Sequence, residues 1–308
     1  MKLRHFSLLL LLCICLSFSG CQLIGNVLHN MQDSFGNKEP TRPHYIEDDN
    51  GMVIPNYDVS TAAYDTSLFT TDADERMTYA DATMQTAHGI DVSAWQGDID
   101  WNAVAADGID FAILRAAVRG WGTNGLLSED ERIRENLAGA TEAGLDVGVY
   151  VFSQAITEQE AIEEAQLVLE IVEGYDLKYP IVFDWEIYPD EPTSRTLNLP
   201  GEKLTACAKA FCSYVEAAGY DAMIYINLEF GYYQYDLEQL QEYDLWLAQY
   251  ASKPTYYYHY TMWQYSVKGQ VDGIKGNVDM NICLYDYTTQ PTTTQQETAG
   301  EEITEVEE

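Results

Sequence analysis

The chain is poor in positive charge. Its 308 residues carry 16 Lys and Arg against 50 Asp and Glu, a formal net charge of −34. Nucleic-acid binding depends on cations set against phosphates, so nucleic acid is not an expected partner. The imbalance aids solubility and repels anionic wall polymers and membrane surfaces. Histidine is scarce as well. Of five, only His88 and His259 lie in or beside the region with a regular apolar pattern. No His/Cys spacing suits zinc, and no metal or cofactor is expected. Of six cysteines, Cys13, Cys15 and Cys21 stand near the start, leaving Cys207, Cys212 and Cys283. Three allows at most one bridge, and whether Cys283 pairs with Cys207 or Cys212 stays open. There is no internal repeat, and no GxGxxG loop follows the first predicted strand. The apolar run Phe6–Phe18 is too short for a comfortable transmembrane helix.

Lys2 and Arg4 precede that run, and Phe18-Ser19-Gly20-Cys21 closes it. This resembles the lipobox of bacterial lipoproteins, with Phe18 in place of the usual aliphatic residue. The resemblance implies a signal peptide over 1–20 and a lipidated Cys21; an ordinary signal peptide cut nearby is the alternative. Either way export is expected. With a lipid, the protein is anchored to the outer face of the cytoplasmic membrane, facing the wall, without spanning it. Residues 21–87 carry Pro40, Pro43, Pro55 and many Asp, Ser and Thr, with no sustained apolar period, and read as an acidic tether. As a flexible chain, the sixty-six residues after Cys21 would span about 45 Å on average. Residues 289–308, rich in Thr, Gln and Glu, read as a disordered acidic tail.

Residues 88–288 remain, enough for one substantial core, with 33 acids against 11 Lys and Arg. Strands are predicted at 89–94, 111–116, 147–152, 181–186 and 223–227, and helices at 101–107, 129–143, 158–173 and 202–218. Gly108, Gly144, Gly174 and Gly219 each follow a helix, where a left-handed cap residue is favoured. The alternation predicts a parallel sheet with crossover helices. After Asn227, apolar runs at 245–249, 261–265 and 278–284 follow without long helices. The α/β fold that fits is a modified TIM-like barrel of five βα units and three further strands. An open doubly wound sheet is the competitor.

In such a barrel, functional residues gather at the strand ends around one mouth. Asp91 lies in the first strand, Asp184 and Glu186 end the fourth, and Asp279 lies in the last, which neighbours the first in a closed barrel. The i, i+2 spacing puts Asp184 and Glu186 on one face. Each acid alone reads equally well as a solvated strand end; four directed at one mouth do not. Close carboxylates push their pKa values apart, giving an acid and a base at neutral pH, the chemistry of glycosidic bond cleavage. Trp95, Tyr150, Phe152, Trp185, Tyr225, Trp246, Tyr250, Trp263 and Tyr265 cluster at the same ends, with Asn227, Gln249 and Gln264 to meet sugar hydroxyls. The tyrosines at 256, 257, 258 and 260 exceed what a core requires and suggest a binding rim.

Five motifs, Gly89-Ile90-Asp91-Val92-Ser93-Ala94-Trp95-Gln96-Gly97, Tyr150-Val151-Phe152-Ser153, Asp184-Trp185-Glu186, Trp263-Gln264-Tyr265-Ser266 and Val278-Asp279-Met280-Asn281, together resemble glycoside hydrolase family 25, the Chalaropsis-type muramidases. The resemblance spans residues 88–287. It implies hydrolysis of the β-1,4 bond between N-acetylmuramic acid and N-acetylglucosamine in peptidoglycan. Glu186 takes the family's acid/base position, with Asp184, Asp91 and Asp279 as the other site acids. Cleavage assisted by the substrate's acetamido group and direct attack by Asp91 stay open. A glycosidase on another amino-sugar polymer such as chitin, or a non-catalytic wall-binding lipoprotein, is the alternative. Glycan strands are the expected partner, with membrane contact only through the lipid, and a monomer is expected.

Overall fold

A computed structural model of the chain describes residues 45–48, 50–187 and 191–288. The signal peptide, Cys21, the tether up to residue 44 and the tail 289–308 lie outside the described residues. From Tyr45 the chain lays down two short antiparallel hairpins, β1 (Tyr45–Glu47) with β2 (Val53–Pro55) and β3 (Phe69–Thr71) with β4 (Met77–Tyr79). Then comes an alternation of strand and helix. It runs through β5 (Ala87–Val92), α1 (Trp101–Ala106), β6 (Phe111–Arg119), β7 (Leu127–Glu129), α2 (Ile133–Glu142), β8 (Asp146–Ser153), α3 (Glu158–Val172), β9 (Ile181–Trp185), α4 (Gly201–Ala217) and β10 (Ala222–Asn227). Three strands complete it: β11 (Asp244–Ala248), β12 (Met262–Gly269) and β13 (Val278–Cys283). The four glycines that follow the helices all have φ between +84° and +88°, the left-handed conformation their positions predict.

Eight strands close into a barrel in the order β5-β6-β8-β9-β10-β11-β12-β13, with β13 pairing back to β5. Neighbours are parallel from β5 to β12, whereas β13 is antiparallel to both β12 and β5. The reversal has a consequence for the site. The first residues of β13, not its last, lie at the mouth made by the C-terminal ends of the other strands. Asp279 thereby stands directly opposite Asp91 in the β5–β13 register.

Inward-facing side chains fill the barrel. Phe111 stacks on Tyr179 with centroids 4.1 Å apart. A Cβ on Gly89 would sit 2.1 Å from the Phe111 ring, so the first strand needs glycine there. Above this layer lie Val182, Met223 and Met262, then Tyr150, Tyr225 and Trp246. Cys283 is buried inside the barrel and Cys207 and Cys212 on α4; all three are free.

Two expectations are corrected. The helix predicted from residue 129 starts at Ile133, because β7 pairs back on β6 and the Asp130 carboxylate is taken by Arg115. After β10 there is no long helix, as the sequence beyond Asn227 predicts: a π-helical turn, Phe230–Gln234, and a 3-10 turn, Leu237–Gln239, join β10 to β11. The second correction concerns the tether, since the folded unit begins at Tyr45. Phe69 is buried against Trp263 and Tyr79, with centroids at 5.2 and 4.7 Å. The Tyr57 hydroxyl donates to the carbonyls of Tyr232 (3.2 Å) and Tyr235 (3.0 Å), and that of Tyr64 to the carbonyl of Tyr260 (2.5 Å). This layer covers the side of the barrel left without helices. It also accounts for the tyrosine run: Tyr256, Tyr258 and Tyr260 are buried and hold the layer in place rather than forming a binding rim. The layer's contacts come from isolated apolar residues in loops and three-residue strands, so no 2.0 or 3.6 period announces them.

Candidate active site

The inward parity of β5 that begins with Gly89 next places Asp91 at the mouth, almost fully buried. Its Oδ2 accepts two hydrogen bonds of 2.8 Å, from Gln264 Nε2 on β12 and Asn281 Nδ2 on β13. Each amide is itself held. Gln264 Oε1 accepts from the hydroxyls of Tyr225 (2.9 Å) and Tyr250 (2.8 Å), and Asn281 Oδ1 from Trp246 Nε1 (2.8 Å). The indole N–H can only donate, so the Asn281 amide is not free to turn over.

Asp91, Asp184, Glu186 and Asp279 line one cavity of about 310 Å³. The cation among its lining residues, Arg115, is already engaged: its Nε and Nη2 both lie 2.7 Å from Asp130 Oδ2. Asp130 is buried and also accepts from the Ala94 N–H, which ties the loop after β5 to that after β7. Four acids facing one committed guanidinium cannot all be ionised at neutral pH. Burial, then Asp279, pushes Asp91 up to about 8, against the pull of its two amide donors. Burial takes Asp279 up to about 6. Asp184 is driven well above the carboxylate range by burial and by Glu186 and Asp91, with Arg115 opposing. Glu186, half-buried, is raised by burial and by Asp279. Asp184 Oδ1 is buried without a hydrogen-bond partner, an acceptor in the cavity wall ready for a ligand N–H or O–H.

The structure brings together the four acids with Tyr150, Phe152, Tyr225, Trp246 and Gln264, as the sequence predicts. It does not bring in Asn227, Gln249, Trp185, Trp263 or Tyr265. Asn227 Oδ1 accepts from the Phe230 N–H and caps the π-helical turn. Gln249 closes a loop onto Thr255 through both ends of its amide. Trp263 is fully buried on the outer face of β12 beneath Phe69, because its neighbour Gln264 faces inward. Sequence reasoning left Asn281 and Arg115 out of the site. Parity would have found both: Asn281 lies two residues from Asp279, and Arg115 two from the inward Ile113. Trp95 is 85% exposed on a 3-10 turn fixed by a Ser93–Gln96 capping box, and with Tyr250 forms an aromatic edge to the cavity. A larger depression of about 710 Å³ beside α1 and α2 contains none of the strand-end acids.

Comparison with known proteins agrees with this geometry. Residues 90–274 match the model of glycosyl hydrolases family 25. An autolytic lysozyme of Clostridium acetobutylicum is 29% identical over 195 residues, 63% of this chain and 54% of that protein. Lysozyme M1 of Streptomyces globisporus is 27% identical over 220 residues, 68% of this chain and 71% of that one. This chain therefore spans about half the length of the clostridial relative. Among solved structures, the modular autolysin LytC from Streptococcus pneumoniae shares the fold, with a TM-score of 0.56 at 21% identity, over 79% of this chain and 56% of that one. LytC has also been solved with a synthetic peptidoglycan ligand.

Proposed function

This chain belongs to glycosyl hydrolase family 25, and from that premise we propose that it is a peptidoglycan muramidase, cutting the β-1,4 bond between N-acetylmuramic acid and N-acetylglucosamine. The observation that carries the reading is the gathering of Asp91, Asp184, Glu186 and Asp279 in one cavity with an aromatic edge. The names of the relatives, two lysozymes and an autolysin, support it.

In this mechanism Glu186, its pKa raised by burial and by Asp279, donates a proton to the glycosidic oxygen as the bond to the anomeric carbon breaks. The unpartnered Oδ1 of Asp184 accepts the N–H of the 2-acetamido group and turns its carbonyl oxygen toward that carbon. The carbonyl oxygen bonds to the anomeric carbon. Water, deprotonated by Glu186, then opens the cyclic intermediate and leaves a reducing muramic acid end. Substrate assistance of this kind is a known exception to the two-carboxylate scheme. Asp91 suits direct attack less well, since a carboxyl pushed up to about 8 is mostly protonated at neutral pH. Asp91 and Asp279 set the charge of the cavity and position water or sugar hydroxyls.

Glu186→Gln is expected to lower turnover of purified peptidoglycan by about 10²–10⁴-fold while leaving the thermal transition in place. Mass spectrometry of the wild-type digest is expected to show reducing muramic acid ends. Reducing glucosamine ends, or near-normal activity of the variant, would overturn the assignment.

The proposal extends to the cell. Export, removal of residues 1–20 and lipidation of Cys21 would place a monomeric enzyme on the outer face of the cytoplasmic membrane, acting on the wall as a remodelling enzyme. The lipobox-like stretch supports this.

A further inference from the structure

Glu186 is the first residue past the end of β9, and neither neighbouring strand extends its register to it. The register of the sheet therefore stops short of its backbone; among the described residues one side-chain contact reaches that backbone, and another fixes the residue before it. Trp185 Nε1 donates to the Ala155 carbonyl at 2.9 Å, and Gln154 Nε2 donates to the carbonyl of Glu186 itself. Gln154 is fully buried, and its Nε2 also donates to the Ser153 carbonyl at 3.0 Å. Both partners of Nε2 are carbonyl oxygens and can only accept, so the orientation of the amide is fixed. At its other end, Oε1 accepts from Thr196 Oγ1 at 3.1 Å.

One residue earlier the chain of contacts continues inward. Ser153 Oγ donates to Glu164 Oε2 at 2.6 Å and accepts from the Ala155 N–H at 3.1 Å. Glu164, buried in α3, takes Arg119 Nε from the end of β6 at 2.6 Å through its other oxygen. An unbroken buried polar path thus runs from Arg119 through Glu164, Ser153 and Gln154 to the backbone of Glu186. Buried ion pairs are weak evidence of stability, because desolvation offsets much of their attraction. What such a network does well is hold one geometry.

We propose that Gln154 is a positioning residue for the proton donor: its amide fixes the Glu186 carbonyl, and through it the place of the Glu186 carboxyl over the scissile oxygen. The inference rests on the reading of Glu186 as that donor.

Gln154→Met keeps a long unbranched side chain and removes both donated bonds, while the Trp185–Ala155 contact remains. The expected result is a fall in kcat on purified peptidoglycan of about ten- to a hundredfold with KM little changed, as for a misplaced catalytic group. The Glu186 carboxyl, followed by ¹³C NMR, is expected to titrate about half a pH unit lower, since a loosened group gains solvent. Thr196→Val, which removes the donor at the far end of the amide, is expected to act in the same direction with smaller size. The titration needs no turnover, so it tests the positioning separately from the muramidase reading, which falls if the wild type leaves peptidoglycan intact. A Glu186 titration unmoved in Gln154→Met overturns the proposal. So does an unchanged kcat, even with a lowered Tm, because Gln154 would then be structural only.

Discussion

Asp91 is buried, faces Asp279 in register, and accepts hydrogen bonds from two amides. Its folded-state pKa, about 8, lies above the ordinary value of 3.8. The folded protein therefore holds a proton at Asp91 that the unfolded chain gives up above about pH 4. The stability contributed by that proton is complete below pH 4 and is lost as pH rises through 8. Asn at this position keeps an oxygen for Gln264 and Asn281 but cannot ionise. Asp91→Asn is expected to raise Tm on the order of 5 °C at pH 8 and to change it little at pH 4. Calorimetry at the two pH values checks this; a gain of equal size at both would remove titration of Asp91 as its cause. The acids of this site were legible in the sequence because strand parity and strand ends are local properties. Asp184 and Glu186 declare themselves two apart after an apolar run. Trp263 and Gln264 show the limit: adjacent residues in a strand face opposite ways, so only Gln264 could reach the cavity. Asn281 was missed although its spacing from Asp279 gives the same signal. The links from Asp91 to Gln264 and Asn281 join residues more than 170 positions apart, a pairing set by barrel closure and by no local pattern.

Among the elements, β13 and the N-terminal layer decide how the site is built. The strands and the glycine stops follow from periodicity and capping, so the barrel was legible. The direction of β13 was not, since an apolar run reads alike in either direction. The layer of β1 to β4 was read as tether because its apolar residues are few and irregular. They matter through where they land. Phe69 is 3% exposed and packs on Trp263, whose neighbour Gln264 holds Asp91. Phe69→Ala is expected to cost about 3–5 kcal/mol, the usual range for an emptied aromatic site. Urea denaturation measures it. A free tether would lose nothing by the same change, so an unaltered midpoint would remove the layer from the folded unit.

For the whole molecule, the folded start at Tyr45 shortens the proposed link to the membrane. Only residues 22–44 then separate a lipidated Cys21 from the domain. Twenty-three residues extend at most about 80 Å. Were Cys21 lipidated, the enzyme would be confined within that reach of the membrane, at the inner layers of the wall. The charge acts in the same sense: a chain at −34 is repelled by anionic wall polymers and does not adhere to the outer wall by electrostatics. Retention at the cell surface would then rest on the lipid alone. Cys21→Ala is expected to move the protein from the membrane fraction to the medium and to abolish labelling by an alkyne fatty acid, with activity on purified peptidoglycan unchanged because the folded unit starts 24 residues later. Persistence of the variant in the membrane fraction would mean that something other than Cys21 holds the protein there.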